Sequence, residues 1–185
     1  MDSRFLTGKL LLAMPGIGDP RFDRAVIAVC SHDEAGALGI GVGAIAPQIS
    51  LHALLRQFDL PTAHVPERPV YQGGPVEPQR GFVLHSLDWG GQGTVDVAGK
   101  WGLTGTIDVL RVIGTPAGPT RWLVALGYAG WGEGQLDSEM QRHGWQLADS
   151  DDKLLFDIET DQRWTSAFAQ QGIDPRLLSG ESGHA

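Results

Sequence analysis

Cysteine is nearly absent: Cys30 is the only one in 185 residues. No intramolecular disulfide and no cysteine-based zinc cluster can be built from it. Long apolar runs are missing too. The longest, residues 25–30, is six residues and the run at 10–14 is five, far short of the roughly 20 that a membrane-spanning helix needs. Positive charge is scarce. Three lysines and 11 arginines face 22 acidic residues, for a net charge of −8. The cations are scattered singly among acids, whereas proteins that grip phosphate backbones cluster them. That argues against direct nucleic-acid binding. Met1-Asp2-Ser3-Arg4-Phe5 gives no basic lead into an apolar signal core, so the expected location is cytoplasmic.

Several chemical signatures are also missing. Gly99-Lys100 is followed by Trp101, where a phosphate loop needs Ser or Thr to hold magnesium. Gly39, Gly41 and Gly43 lack dinucleotide-fingerprint spacing, and the next helix signal starts only near Leu51. They read instead as sites of close backbone approach or a bulge. No Gly-x-Ser-x-Gly elbow and no His-Glu-x-x-His motif occurs among the six histidines at 32, 52, 64, 85, 143 and 184. No metal and no cofactor is expected.

What the chain does have is glycine, 26 residues of it, and a hydrophobic fraction of 42%. That hydrophobic fraction suits a folded domain rather than a disordered chain. One domain is expected over residues 1–178, with a flexible tail at 179–185. Strand signals lie at 10–14, at 25–32 (apolar on both faces, hence central), at 38–45, at 80–85 and at 121–127. A turn is expected at 17–20, and a glycine loop at 127–134. Ser50 reads as the cap of a helix whose Leu51, Leu54, Leu55 and Phe58 share one face. Further helices are expected after Thr106, over 135–143, and around Trp164, Ala167 and Phe168, with Gly172 as a C-cap. Strands and helices mix without βαβ alternation. The fold class is therefore α+β, with a mixed, largely antiparallel sheet and flanking helices.

Four residues stand out chemically. Cys30 and His32 are two apart on a strand, so regular alternation puts both on one face. An imidazolium beside a thiol lowers its pKa and activates it. The structural alternative is a buried Cys acting as a small hydrophobe; Asp33 and Glu34 close by disfavour the thiolate. Arg80 and His85 bracket a second strand. They are candidate binding residues, with His85 either lining a pocket together with His32 or serving as a hydrogen-bonded core anchor. The six tryptophans are expected mainly in packing.

Ordered motifs run through nearly the whole chain. They are Leu12-Ala13-Met14-Pro15 with Asp19-Pro20 and Phe22; Cys30-Ser31-His32 leading to Gly36-Ala37; Gly73-Gly74-Pro75-Val76; and Arg80-Gly81-Phe82-Val83-Leu84-His85-Ser86. They continue with Ala125-Leu126-Gly127-Tyr128-Ala129-Gly130-Trp131, Gly134-Gln135-Leu136 with Glu139, Trp145, Arg163-Trp164 and Gly183-His184-Ala185. In these the chain resembles the YqgE/AlgH family of bacterial proteins. The resemblance implies an α+β fold around a strongly curved sheet and a cytosolic location. It brings no agreed catalytic residues. One branch carries a transcriptional-regulator label, through a role in alginate synthesis, but no helix-turn-helix is evident here. Two departures stand out: Ser31 replaces a Glu, and Gly43 stands near where relatives carry Asn. Two functions follow as expectations. The first is a non-enzymatic binding or regulatory module with a protein or small-molecule partner and no membrane. The second is a thiol-dependent enzyme or redox sensor using Cys30 with His32.

Overall fold

A computed structural model of the chain describes residues 5–15 and 22–178. The turn expected at 17–20 and the tail at 179–185 lie outside the described residues. The strands are β1 (Lys9–Ala13), β2 (Val26–Asp33), β3 (Gly36–Gly41), β4 (Ile45–Ser50), β5 (Pro69–Gln72), β6 (Val76–His85), β7 (Thr94–Val97), β8 (Trp101–Thr104), β9 (Trp122–Trp131) and β10 (Trp145–Asp149). Helices α1 (Leu51–Gln57), α2 (Ile107–Val112), α3 (Gln135–Gln141) and α4 (Thr160–Gln170) flank them. No described helix is long and apolar enough to cross a membrane.

The strands form one curled sheet in the order β10-β1-β2-β3-β9-β6-β8-β7, with β4 and β5 beside it. The class is α+β, as expected. Every pairing is antiparallel except β5 with β9. Strand β9 is the hub. Its first half, Val124–Leu126, runs parallel to β5 on one edge and antiparallel to β6 on the other. Its second half, Ala129–Trp131, pairs with β3. Gly127, at φ +77°, turns the strand between the two, a conformation that suits glycine because it lacks a Cβ. The glycine loop expected at 127–134 is therefore corrected: residues 127–131 continue the strand. The glycines there read as a loop because a bend inside a strand and a connection between elements use the same residue.

Residues of alternate parity feed three cores. The inner face gathers Leu10, Leu12, Val26, Ala28, Ile40, Phe82, Leu84, Trp101 and Leu123, and α4 closes it with Ala167 and Phe168. The outer face divides in two. Val70, Val83, Trp122 and Val124 pack under α1 and α2 through Leu51, Leu55 and Val109. Leu11, Ile27, Val29, Trp131 and Trp145 pack under Leu136 of α3. Fully burying each of the Val, Leu, Ile and Phe side chains contributes about 1.5–3 kcal/mol. Glu139 fixes α3 in place: its Oε2 accepts the indole N–H of Trp131 at 2.6 Å and that of Trp145 at 3.3 Å.

The helix caps follow the sequence in part. Ser50 Oγ accepts from Ala53 N at 3.2 Å and starts α1. Thr106 precedes α2 but makes no side-chain cap bond. The apolar residues 154–156 form neither a strand nor an ordinary helix start. They sit in a π-helical turn, Lys153–Asp157, in which Ile158 N donates to Lys153 O at 3.0 Å.

Candidate functional site

Cys30 and His32 do not share a face. In β2, Val29 pairs with Gly39 and Ser31 with Leu38, so two steps on β2 match one on β3. Cys30 is the extra residue of a β-bulge, and side-chain parity inverts across it. The thiol joins the inner core at 3% exposure. His32 pairs with Ala37, whose side chain packs against the outer core under α3. There the Leu6 N–H donates to His32 Nδ1 at 3.1 Å, which leaves the ring proton on Nε2, 3.6 Å from Asp137 Oδ1. The Phe5 ring meets the imidazole edge-on at 5.2 Å. The imidazole ties the N-terminal segment to β2 and α3.

Burial pushes the Cys30 thiol up to about 12, with Trp101 pulling slightly the other way. The thiol's hydrogen bond runs to Ala28 O at 3.5 Å. Trp101 Nε1 is buried with no hydrogen-bond partner of ordinary geometry, so its pull on the sulfur is weak. Such a thiol is a packing group, because thiolate chemistry needs an electropositive, accessible setting.

His85 is fully enclosed on the other half of the outer face. Strands β3 and β9 stand between β2 and β6, so the two histidines do not meet. His85 Nδ1–H donates to Ser86 O at 2.9 Å, and Nε2 accepts from Thr104 Oγ1 at 2.8 Å. Thr104 Oγ1 in turn lies 2.8 Å from Thr94 Oγ1, which accepts from Gly91 N at 2.9 Å. The ring lies against Gly102, where an added Cβ would sit 2.4 Å from Cε1. Burial holds its pKa below the usual 6.5. His85 is a core anchor. Arg80 is exposed, stacks over Phe82 at 5.0 Å, and reaches Glu77 at 3.5 Å. It borders an apolar groove of about 270 Å³ between β6, α1 and α2. The four residues singled out from sequence thus lie in separate environments.

A different site emerges where the two sheet halves meet. Gly41 N donates to Gly73 O at 2.7 Å, Gly73 N to Leu126 O at 2.8 Å, and Gln72 N to Ala44 O at 2.8 Å. These bonds draw β3 and β5 together beside the bend in β9. Above them opens a cleft of about 340 Å³, walled by Phe22, Val26, Ala46, Pro75, Pro78 and Leu126. Its floor is main chain. An added Cβ on Gly73 would lie 2.1 Å from Gly127 O, and one on Gly74 would lie 2.1 Å from Tyr128 C. The Gly73-Gly74-Pro75 motif is therefore required by backbone contact rather than by turn geometry alone. Such a cleft offers apolar contact and main-chain polar groups, but no titratable pair for proton transfer. Its sequence signal was the glycine pair, which as a motif reads only as a turn.

Known proteins align with this architecture. A family described as AlgH-like matches residues 10–176. A UPF0301 protein of Rhizorhabdus wittichii is 58% identical over 180 residues, covering 97% of each chain. A UPF0301 protein of Novosphingobium aromaticivorans is 54% identical over 184 residues, covering 100% of this chain and 99% of its own. The solution structure of the AlgH protein from Pseudomonas aeruginosa superposes with a TM-score of 0.81 at 34% identity, covering 100% of this chain and 98% of that one. A Corynebacterium diphtheriae protein, 18% identical, shares the fold with a TM-score of 0.77, over 94% of this chain and 91% of its own.

Proposed function

The chain belongs to the AlgH-like family, and we propose that it acts in the cytoplasm as a binding or regulatory module without chemistry of its own. Its occupant is an apolar small molecule or an apolar segment of a partner protein, held in the glycine-floored cleft. The observation that carries this proposal is the cleft's position: about 340 Å³ of mainly apolar space at the seam of two sheet halves. A ligand seated there touches strands from both halves and so biases their relative packing, which is what a regulatory module requires. Regulation through a partner also suits a net charge of −8 better than direct contact with DNA does. The thiol alternative lacks geometric support, because the bulge parts Cys30 from His32 and the sulfur is buried.

Fragment binding followed by amide chemical shifts tests this. Small aromatic fragments are expected to move resonances at 41–48, 72–75 and 126–129. Ala44 is exposed at the rim, so Ala44→Phe should block those shifts while leaving the rest of the spectrum intact. An identical response from the variant, or shifts centred elsewhere, would reject the cleft as the site.

A further inference from the structure

A second cleft, of about 330 Å³, lies at the edge of the inner face between the start of β9 and the π-helical turn that leads into α4. Three of its lining residues are arginines, 68, 121 and 163, in a chain whose net charge is −8. Arg163 is 2% exposed. Its Nε donates to Leu154 O at 2.8 Å, Nη2 to Ile158 O at 3.1 Å, and Nη1 to Val42 O. Its guanidinium also sits 5.2 Å from the Tyr71 ring. Those bonds use three of the five N–H donors. No described carboxylate lies within salt-bridge distance, so among the described residues this buried positive charge has no counter-ion. A charge in that position is costly unless something of opposite sign compensates it.

Arg68, by contrast, is exposed at the mouth. It stacks 4.2 Å over Trp122 and reaches the Trp122 carbonyl at 3.4 Å, with no acidic partner among the described residues. Arg121 is held by Asp157 at 3.3 Å and more loosely by Asp152 at 3.8 Å, both exposed. Glu159 is the other acid on the lining, and its side chain is exposed. Hydroxyls are present as well: Tyr71 Oη and Thr160 Oγ1 lie 2.9 Å apart, whereas the Thr120 hydroxyl on the same lining already donates to Asp88 Oδ2.

We propose that this cleft binds a small oxyanion, the carboxylate or phosphate group of a metabolite, between Arg68 and Arg121, over the fixed positive charge of Arg163. The guanidinium fork matches two oxygens of either group, and a partly desolvated pair of this kind is stronger than one in open water. Asp157 occupies Arg121 as an internal competitor, and an arriving anion displaces it. The π-helical turn serves the same arrangement. Its distorted ladder leaves Leu154 O free to accept from Arg163, and such turns recur at functional sites. This site is separate from the glycine-floored cleft and stands or falls independently of it.

The test is titration of the isotope-labelled full chain with inorganic phosphate and, in a parallel arm, acetate, at constant ionic strength made up with sodium chloride. Saturable shifts are expected at residues 120–123 and 155–160. Arg68→Ala and Arg121→Ala should each weaken binding by roughly tenfold, the scale of a hydrogen bond to a charged group. Asp157→Asn should tighten it by about threefold, the scale of losing one exposed ion-pair competitor. Arg111→Ala, remote on α2, is the control and should change nothing. The arm with the lower Kd identifies which oxyanion the cleft takes. No saturable shift in either arm, equal shifts with chloride alone, or unchanged affinity in both arginine variants would overturn the proposal.

Discussion

The burial of Cys30 makes a quantitative prediction about thiol chemistry. An ordinary thiol at 9.0 is about 1% thiolate at pH 7, whereas one pushed up to about 12 is about 0.001% thiolate. That alone slows alkylation roughly thousandfold. Exposure of only 3% adds a steric barrier. The native route is then so slow that modification proceeds through opening of the sheet, and its rate is set by the population of the open state. The assay is iodoacetamide labelling of the native chain across pH 6–10, with intact mass as the readout, alongside the same chain in urea. In urea, labelling should be complete within the ordinary time of a free cysteine and should titrate near its usual pKa. In the native state it should be at least about a thousandfold slower, and sub-denaturing urea should accelerate it in step with unfolding. Fast native labelling with a midpoint at or below about 8.5 would refute both the burial argument and the separation of Cys30 from His32.

Two further predictions concern His85. Thr104→Val keeps the volume of a fully buried side chain but removes the hydroxyl between His85 and Thr94. It should cost about 1–3 kcal/mol, a fall of roughly 5 °C in Tm for a chain of this size, and a melt indistinguishable from wild type would contradict the directed chain. His85 also links stability to pH. Its folded pKa lies below 6.5, so the unfolded chain binds the extra proton first as pH falls. Stability is thus unaffected by this group above 6.5 and declines as pH drops from there toward the depressed value. Urea denaturation at pH 7.5 and 5.5 should show that slope in the wild type and a smaller one in His85→Gln; equal slopes would remove His85 as the cause.

Much of the fold was legible where periodicity and caps agreed. The helix after Ser50 buries Leu51, Leu54 and Leu55 and has its Ser50 Oγ bond to Ala53 N, although Phe58, expected on the same face, caps the helix end and is exposed; α4 buries Ala167 and Phe168 as its spacing implies. Strands 94–97, 101–104 and 145–149 went unseen. They are four or five residues long, too short for a period-two signal to rise above its surroundings. The bulge in β2 was hidden for a different reason. Val26 to Cys30 are all buried, so both faces read as apolar and nothing in the sequence marks a change of register. That one extra residue dissolved the candidate dyad. The arginine cleft was equally invisible, because Arg68, Arg121 and Arg163 are far apart in the chain and look like isolated surface charges until the sheet curls.

The central position of β9 has a consequence for synthesis. Its partners β3, β5 and β6 all precede it, and β3 waits from residue 41 until residue 131 for its second neighbour. At roughly 5–20 residues per second, a nascent chain carries uncovered strand edges for several seconds before the segment that seals them leaves the ribosome. Bare edges invite pairing with other chains. A fragment ending before Trp122 would therefore leave β3, β5 and β6 without their shared neighbour and be prone to aggregate.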